Sequence, residues 1–356
     1  MNLFRLSPNI DPNAPRSLTS DALLRLSENR FAVGGLIYFA FVITLCYLGP
    51  LFYNHSPDSQ VLALDATLPF ESVDLIEVRY EADRATPDEV TTLEDFADIY
   101  ALNPQADIQK LKASRHSTVN GIDFRLIHRF HLLGTDTKGR DLLARIMRGG
   151  RISLGVGFLA TFTALLIGVS YGSISGYLGG KLDAFMMRLV DILYALPFLI
   201  FVILLMVAFE GFKYKILLIF IAIGAVEWLT MARIVRGQVM HLKEQEFVLA
   251  AKATGVSTFS IITRHLTPNL MGPVIVYATL LVPAVILLES TLSFLGLGMQ
   301  ASMASWGTLI QEGQESMHSA PWQLIAPSLF FSATLLAMNF LGDGLRDALD
   351  VKSAKD

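Results

Sequence analysis

Residues 152–171 read ISLGVGFLATFTALLIGVSY, a run of twenty residues without a charged side chain. An α-helix of about 20 residues crosses about 30 Å of hydrocarbon, so the run predicts a membrane-spanning helix. Five other runs have the same character. The six predicted spans are Phe31–Tyr53, Ile152–Tyr171, Ile192–Phe209, Lys215–Ile234, Pro273–Leu295 and Trp322–Leu341. We therefore predict an all-α polytopic membrane protein, in which Pro197, Pro283 and Pro327 are tolerated inside spans.

The composition agrees with a membrane protein. Of 356 residues, 53% are hydrophobic and 17% are charged, whereas about 25% is usual in soluble proteins. The net charge of −4 argues against nucleic acid as a partner. Cys46 is the only cysteine, so an intrachain disulfide is excluded. The polar segment 1–30 precedes the first apolar run, which is too long for a cleaved signal and is interpreted as a retained helix.

The distribution of Lys and Arg predicts the orientation of the spans. With both termini in the cytoplasm, the cytoplasmic segments hold fourteen Lys and Arg when Arg233 at the end of the fourth span is included, and the two short outer loops hold two, Lys213 and Lys215. The positive-inside rule therefore favours a cytoplasmic location for residues 1–30, the loop 235–272 and the tail 343–356. The long segment between the first two spans is not expected to count, because loops beyond about 60 residues translocate regardless of charge.

That long segment, residues 54–133, predicts a small acidic α+β insert outside the membrane. It carries fourteen Asp and Glu against seven Lys and Arg. Val73–Tyr80 alternates like a strand, and Asn-Gly within Val119–Ile122 is typical of a tight hairpin. Thr91–Leu102 and Asp107–Ala113 are helix-like. The favoured role is a structural cap or contact surface, with direct solute binding as the alternative.

Small residues recur at every fourth position of the second span. On a helix they form one narrow stripe, which predicts close packing against another helix of this chain or of a partner. Its members are Ala160, Ala164, Gly168, Gly172, Gly176 and Gly180.

No enzyme chemistry is indicated by the sequence. It contains no G-x-x-x-x-G-K-[ST] and no H-E-x-x-H pattern, and no nucleophile–base arrangement is indicated. His128 and His131 lie three apart in the insert and are interpreted as solvated rather than as metal ligands. We therefore predict no catalytic residue, no metal and no cofactor bound by this chain.

Residues 244–269, EQEFVLAAKATGVSTFSIITRHLTPN, predict a helix, a break and a second helix in the cytoplasm. Gly255 suits the left-handed position that ends the first helix, and Ser257 can cap the second, Thr258–Leu266. The surface around Ala250 is unusually small and would suit a soluble partner; an ordinary amphipathic connector is the alternative reading.

This stretch resembles the EAA loop of ABC importer permeases, E-A-A-x-x-x-G-x9-I-x-L-P. Leu249-Ala250-Ala251, Gly255 and Pro268 keep its spacing, while Leu249, His265 and Thr267 replace the usual Glu, Ile and Leu. Further matching motifs, in chain order, are LGTD at 133–136, GRD at 139–141, RISL at 151–154, GYLGG at 176–180 with Asp183, Met187-Arg188 and Asp191, LSFLGLG at 292–298, SWG at 305–307 and GDGLRDALD at 342–350. The chain is similar to the C-type permease of oligopeptide, dipeptide and nickel ABC importers.

The resemblance implies six transmembrane helices of the type I ABC importer permease kind, with a core at 134–342. It implies a bacterial inner-membrane complex with a homologous B-type permease, two ATP-binding subunits that carry ATP and Mg, and an extracytoplasmic solute-binding protein. Peptides are the favoured cargo; nickel, glutathione or another peptide-like solute are alternatives. The implied ATPase contact consists of Glu246, Leu249, Ala250, Ala251, Lys252, Gly255 and Ser257.

Several charged or polar residues are candidates for the transport pathway or for its outer mouth. An acid within a span is costly and usually faces an interior or a cavity. Glu289 and Ser293 are candidates for a gate, with a structural hydrogen bond as the alternative for Glu289. Glu227 would lie near the pore or pair with Arg233. Local salt bridges that order the outer mouth are favoured over substrate contact for Asp136, Arg140 and Asp141.

Two other classes of protein compete with the importer permease. A stand-alone secondary transporter or channel would need its own coupling ions and often shows inverted repeats, which are not seen in the sequence. A membrane receptor would use its insert to sense a ligand and its spans only as anchors.

Overall fold

The computed structural model describes residues 18–61, 64, 66–80, 89–92, 116–119, 122–209, 215–297 and 304–349. The helices are α1 (Leu18–Glu28), α2 (Arg30–Phe52), α3 (Leu142–Leu178), α4 (Gly180–Tyr194), α5 (Phe198–Ala208), α6 (Lys215–Leu242), α7 (Glu246–Ala253), α8 (Thr258–Phe294), α9 (Trp306–Glu315) and α10 (Trp322–Leu349). Residues Ile261–Leu266 of α8 are π-helical. The strands are β1 (Glu71–Tyr80), β2 (Glu89–Thr92), β3 (His116–Val119) and β4 (Ile122–His131).

The helices confirm the predicted fold class. Five are long and apolar enough to cross a membrane, and a sixth span results when the bent pair α4 and α5 is counted as one. Helix α3 is 37 residues long, so it extends beyond the predicted span at both ends. Helix α10 continues to Leu349 and therefore includes residues 343–349 of the predicted tail. The short helices α1, α7 and α9 lie outside the spans.

The third predicted span was wrong in its shape. Helices α4 and α5 meet at an angle of 77°, and Pro197 is the residue before α5. Proline has no N–H and pushes the residue before it away from helical geometry, so the helix breaks there. Pro283 and Pro327, by contrast, lie inside continuous helices, as predicted.

The small-residue stripe of α3 packs against α6, which settles the choice between a helix of this chain and one of a partner. A methyl group added at Gly168 would lie 2.6 Å from Met231 Cβ, and one added at Gly176 would lie 2.8 Å from the Arg236 carbonyl oxygen. At Gly172 it would meet the Ala232 carbonyl. Close backbone approach of this kind is what holds helices together in lipid.

Gly180 does not belong to this contact, and its assignment to the packing stripe was wrong. Helix α3 ends at Leu178, and Gly180 has a φ of +60° with nothing within 4 Å of an added methyl group. Gly179, which also has a positive φ, separates α3 from α4. The fourfold spacing therefore no longer corresponds to one helix face.

The insert contains a four-stranded antiparallel sheet in the order β2-β1-β4-β3. Strand β1 includes the predicted Val73–Tyr80, and Val119 pairs with Ile122, so the predicted strand and hairpin are confirmed. The predicted helix Thr91–Leu102 was wrong at its start, because Thr91 and Thr92 belong to β2. Its remainder, and Asp107–Ala113, lie outside the described residues.

A buried tryptophan joins α9 to α3. Trp306 is fully buried, and its Nε1 donates to the Ile146 carbonyl oxygen at 3.1 Å. A methyl group at Gly150 would lie 2.8 Å from the indole, and one at Gly307 would lie 2.6 Å from Ser290 Cα. The Ser-Trp-Gly motif therefore fixes α9 against the first turns of α3 and the last turns of α8.

Candidate functional site

The predicted double helix at 244–269 is present as α7 and the start of α8. Val248 and Ala251 are buried and attach α7 to the bundle. Gly255 has a φ of +81°, in the left-handed region that favours glycine. Ser257 Oγ accepts a hydrogen bond from Ser260 N at 3.3 Å and so caps α8. Both turn residues have the local roles that the sequence predicts for them.

The outward face of this double helix is small and partly apolar. Leu249 is 52% exposed and Phe259 is 77% exposed. Six of the seven predicted contact residues are exposed, namely Glu246, Leu249, Ala250, Lys252, Gly255 and Ser257. Ala251 is the exception, because it faces the bundle with 8% exposure. We call these six residues together with Phe259 the α7 surface.

A π-helical turn follows the α7 surface and was not predicted. Thr267 donates through both its N–H and its hydroxyl to the Ile262 carbonyl, the latter at 2.8 Å. Pro268 has no N–H to offer the Arg264 carbonyl four residues earlier, so regular α-helical bonding is already interrupted there. Such turns occur frequently at functional positions of helices.

Charged residues tie the helix ends beneath α7 to one another. Arg236 donates two hydrogen bonds of 2.6 Å to Asp183, which also accepts from Ser175 Oγ at 2.5 Å. Lys243 Nζ donates to the Gly176 carbonyl oxygen at 2.9 Å. These contacts join the end of α3, the start of α4 and the end of α6.

The pairing of Glu227 with Arg233 was wrong. Arg233 instead pairs with Asp191 at 2.8 Å, and its guanidinium lies 4.4 Å from the centre of the Tyr194 ring. Glu227 is half-buried on α6.

Glu289 is enclosed within the bundle. It is 1% exposed and accepts hydrogen bonds from Ser153 Oγ at 2.9 Å and Ser293 Oγ at 2.7 Å, with Ser290 Oγ at 3.4 Å. Ser153 Oγ also accepts from Trp306 N at 3.3 Å. Glu289 and Ser293 thus form a polar contact between α8, α3 and α9, which corresponds to the structural alternative given above.

An apolar groove of about 820 Å³ runs between α3 and α8. Its lining includes Phe162, Leu166 and Phe259, which are 57%, 56% and 77% exposed. The hydroxyls of Thr161 and Ser173 also line it, and they are buried without a hydrogen-bond partner among the described residues. Glu227, Glu289 and Ser293 do not line this groove.

A buried ion-pair network lies at the opposite end of the bundle. Asp136 accepts from Arg140 Nε at 2.7 Å and from Arg145 at 2.6 Å. Glu312 of α9 accepts from the same two arginines, at 3.2 Å and 2.5 Å. Asp136, Arg140 and Arg145 have side chains no more than 6% exposed. Asp136 and Arg140 therefore pair as expected, whereas Arg145 and Glu312 were not predicted.

Asp141 lies beside this network and contacts different residues. Its Oδ1 accepts from Ala144 N at 2.8 Å and caps α3, while its Oδ2 accepts from Tyr53 at 2.7 Å. Oδ2 is also 2.8 Å from His131 Nδ1. His131 is 2% exposed, so its interpretation as a solvated residue was wrong. Burial lowers the pKa of nearby His55, whose ring stacks on Tyr53 at 4.3 Å between centres.

Comparisons with known proteins identify relatives of this chain among transport permeases. The family model "Binding-protein-dependent transport system inner membrane component" matches residues 151–355, and "N-terminal TM domain of oligopeptide transport permease C" matches residues 17–69. An oligopeptide transport system permease protein of Haemophilus influenzae is 44% identical over 95% of this chain and 89% of its own length. Its counterpart in Escherichia coli is 57% identical over 62% and 72%. A dipeptide transport system permease protein of Bacillus subtilis is 40% identical over 94% and 86%.

Proposed function

The chain belongs to the family of binding-protein-dependent transport system inner membrane components, and from this premise we propose that it is the permease subunit of an ATP-driven importer of peptides. The peptide cargo is supported by the names of its relatives, which are oligopeptide and dipeptide permeases. The chain itself is a transport subunit rather than an enzyme. ATP and Mg bind to a separate ATPase subunit.

The α7 surface is the observation that carries this proposal. A self-contained transporter has no need for a small exposed helix held at one end of the bundle. Here Leu249 and Phe259 expose apolar side chains next to Ala250 and Gly255, so a protein surface can approach closely. Anchoring by Val248 and Ala251 allows a push on α7 to reach the bundle through α6 and α8. The ATPase is the proposed source of that push.

The groove between α3 and α8 is the proposed contact with the second, homologous permease. The large apolar side chains of α3 in this groove, Phe162 and Leu166, would be covered there by a partner helix rather than by lipid alone. Rocking of the two permeases against each other would then alternate access to a pathway between them.

The proposed location is the inner membrane of a bacterial cell, with both termini and α7 in the cytoplasm. The insert and the ion-pair network then face outward, where a solute-binding protein delivers the peptide. The excess of Lys and Arg in the cytoplasmic segments supports this orientation.

Replacing Gly255 by valine is expected to uncouple ATP hydrolysis from uptake. A β-branched residue is strained by about 1–3 kcal/mol at such a positive φ, and the loop relieves the strain by shifting α7 relative to Phe259. An added methyl group meets nothing within 4 Å, so the effect arises from the backbone alone. We expect peptide uptake to fall by about tenfold or more, as a shift of about 1.4 kcal/mol implies.

Gly255→Asn is the matched control, because asparagine tolerates left-handed geometry. ATPase activity and uptake of a labelled peptide are measured together in reconstituted vesicles. Valine should remove the stimulation of ATPase activity by the loaded binding protein, and asparagine should keep most of it. Unaltered coupled uptake by Gly255→Val would contradict the proposed ATPase contact.

The same vesicles test the transport class and the cargo. We expect uptake of a labelled oligopeptide to require ATP, the ATPase subunits and the binding protein. Excess unlabelled peptide should suppress this uptake, whereas nickel or glutathione should not. Uptake by this chain alone, driven by an ion gradient, would refute the importer assignment.

A further inference from the structure

Three metal-ligating side chains meet near the outer end of α3, beside the ion-pair network. His55, His131 and Asp141 each offer one ligand atom, and these atoms lie within 4.8 Å of one another. They come from three separate segments, namely the loop after α2, the last residue of β4 and the residue before α3. The transport mechanism proposed above uses none of them.

Three ring nitrogens in this cluster are buried without a hydrogen-bond partner among the described residues. They are Nε2 of His131 and both nitrogens of His55. A buried polar atom left without a partner costs about 1–3 kcal/mol. His131 Nδ1, by contrast, is engaged with Asp141 Oδ2 at 2.8 Å. The unpartnered nitrogens therefore point to a ligand that accepts electron pairs at this position.

The donor set matches that of a zinc-type ion. Imidazole nitrogens are common zinc ligands, with bonds of about 2.0–2.1 Å. A histidine that binds a metal usually directs its other ring nitrogen at a carboxylate, which fixes the orientation of the ring. Asp141 has this relation to His131, and the cap it forms with Ala144 N holds the carboxylate in place. Stacking on Tyr53 holds the ring of His55.

We propose that His55 and Nε2 of His131 bind a divalent transition metal of the zinc type, while the carboxylate of Asp141 orients the His131 ring through Nδ1. A bound ion would connect the loop after α2, the inserted sheet and α3 at one point. It would thus fix the insert to the outer end of the bundle. The site is structural and is separate from the energy coupling at α7.

Zinc binding by the full-length chain in its complex tests the proposal. The complex is purified in detergent through a tag without histidine, stripped with a chelator and titrated with zinc alone. The wild-type complex should bind one zinc ion that is lost when the cluster is altered. His55→Phe and His131→Phe, which keep the rings but remove the nitrogens, should lose that ion. Asp141→Asn should weaken zinc binding by about 10–100-fold.

His128→Ala is the matched control. His128 is on the same strand as His131, but it is exposed and bonded to Asp74 at 2.8 Å. Its removal should leave zinc binding unchanged. Zinc bound equally by wild type, His55→Phe and His131→Phe would overturn the proposal, as would a wild-type complex that binds no zinc.

X-ray absorption of the wild-type complex decides the question independently of how the variants fold. The zinc edge should reveal a shell of nitrogen and oxygen at about 2.0–2.2 Å with the scattering of two imidazole rings. A shell without imidazole scattering would exclude this site.

Discussion

Replacing Arg145 by methionine is expected to lower the free energy of unfolding by about 3–5 kcal/mol, as is usual when one partner of a buried ion pair is removed. The Arg145 side chain is 2% exposed and bonds both Asp136 and Glu312. Its loss leaves Arg140 as the remaining cationic partner of Asp136 and removes the bonds from α3 to Glu312 of α9. Methionine keeps most of the volume, so the change reports on charge rather than on a cavity.

Arg148→Met is the control for this prediction. Arg148 lies one helical turn further along α3 and pairs with Asp58, but the two side chains are 37% and 57% exposed. Exposed pairs contribute only about 0–1 kcal/mol. Reversible unfolding in detergent micelles measures both variants. A similar loss of stability for both would contradict the structural role of the buried network.

Replacing Gly172 by alanine is expected to destabilise the protein by about 1–3 kcal/mol, the usual cost of overpacking a close contact. The added methyl group would meet the Ala232 carbonyl and would lie 2.9 Å from Val235 Cβ. Backbone atoms cannot rotate away, so α3 and α6 must separate. The polar contacts of Asp183 and Arg236 at the end of these helices would be strained as well.

Gly155→Ala on the same helix should have the opposite sign. An added methyl group there meets nothing within 4 Å, and alanine is favoured over glycine within a helix by about 1 kcal/mol. The same unfolding measurement compares the two variants. If Gly172→Ala were as stable as Gly155→Ala, the close approach of α3 and α6 would be refuted.

The membrane spans were predictable because an apolar run of sufficient length has few alternatives. The hairpin at Val119–Ile122 and the ends of α7 were predictable for a similar reason, since Asn-Gly, Gly255 and Ser257 act locally. The break at Pro197 was missed because a proline within a span is tolerated or disruptive according to its neighbours. Pro283 and Pro327 remain inside helices with the same local chemistry.

Contacts between segments that lie far apart in the chain could not be predicted from the sequence. Arg145 and Glu312 are separated by 167 positions, and no spacing rule connects them. Glu289 resembled a pathway residue because an acid within a span is rare. Only the structure shows that Glu289 is enclosed and hydrogen-bonded by Ser153 and Ser293. His131 appeared solvated for the same reason. It packs against His55 and Asp141, and both of these residues lie outside its own strand.

Measuring on which side of the membrane α7 lies is the most direct test of the proposed ATPase contact. Ala250→Cys and, separately, Gln60→Cys are placed in a chain with Cys46→Ala, and both positions are exposed in the structure. Each is treated with a membrane-impermeant maleimide in right-side-out and inverted membrane vesicles that lack the ATPase. If α7 is cytoplasmic, Ala250→Cys reacts only in inverted vesicles and Gln60→Cys only in right-side-out vesicles. Reaction of Ala250→Cys in right-side-out vesicles would contradict the proposed ATPase contact.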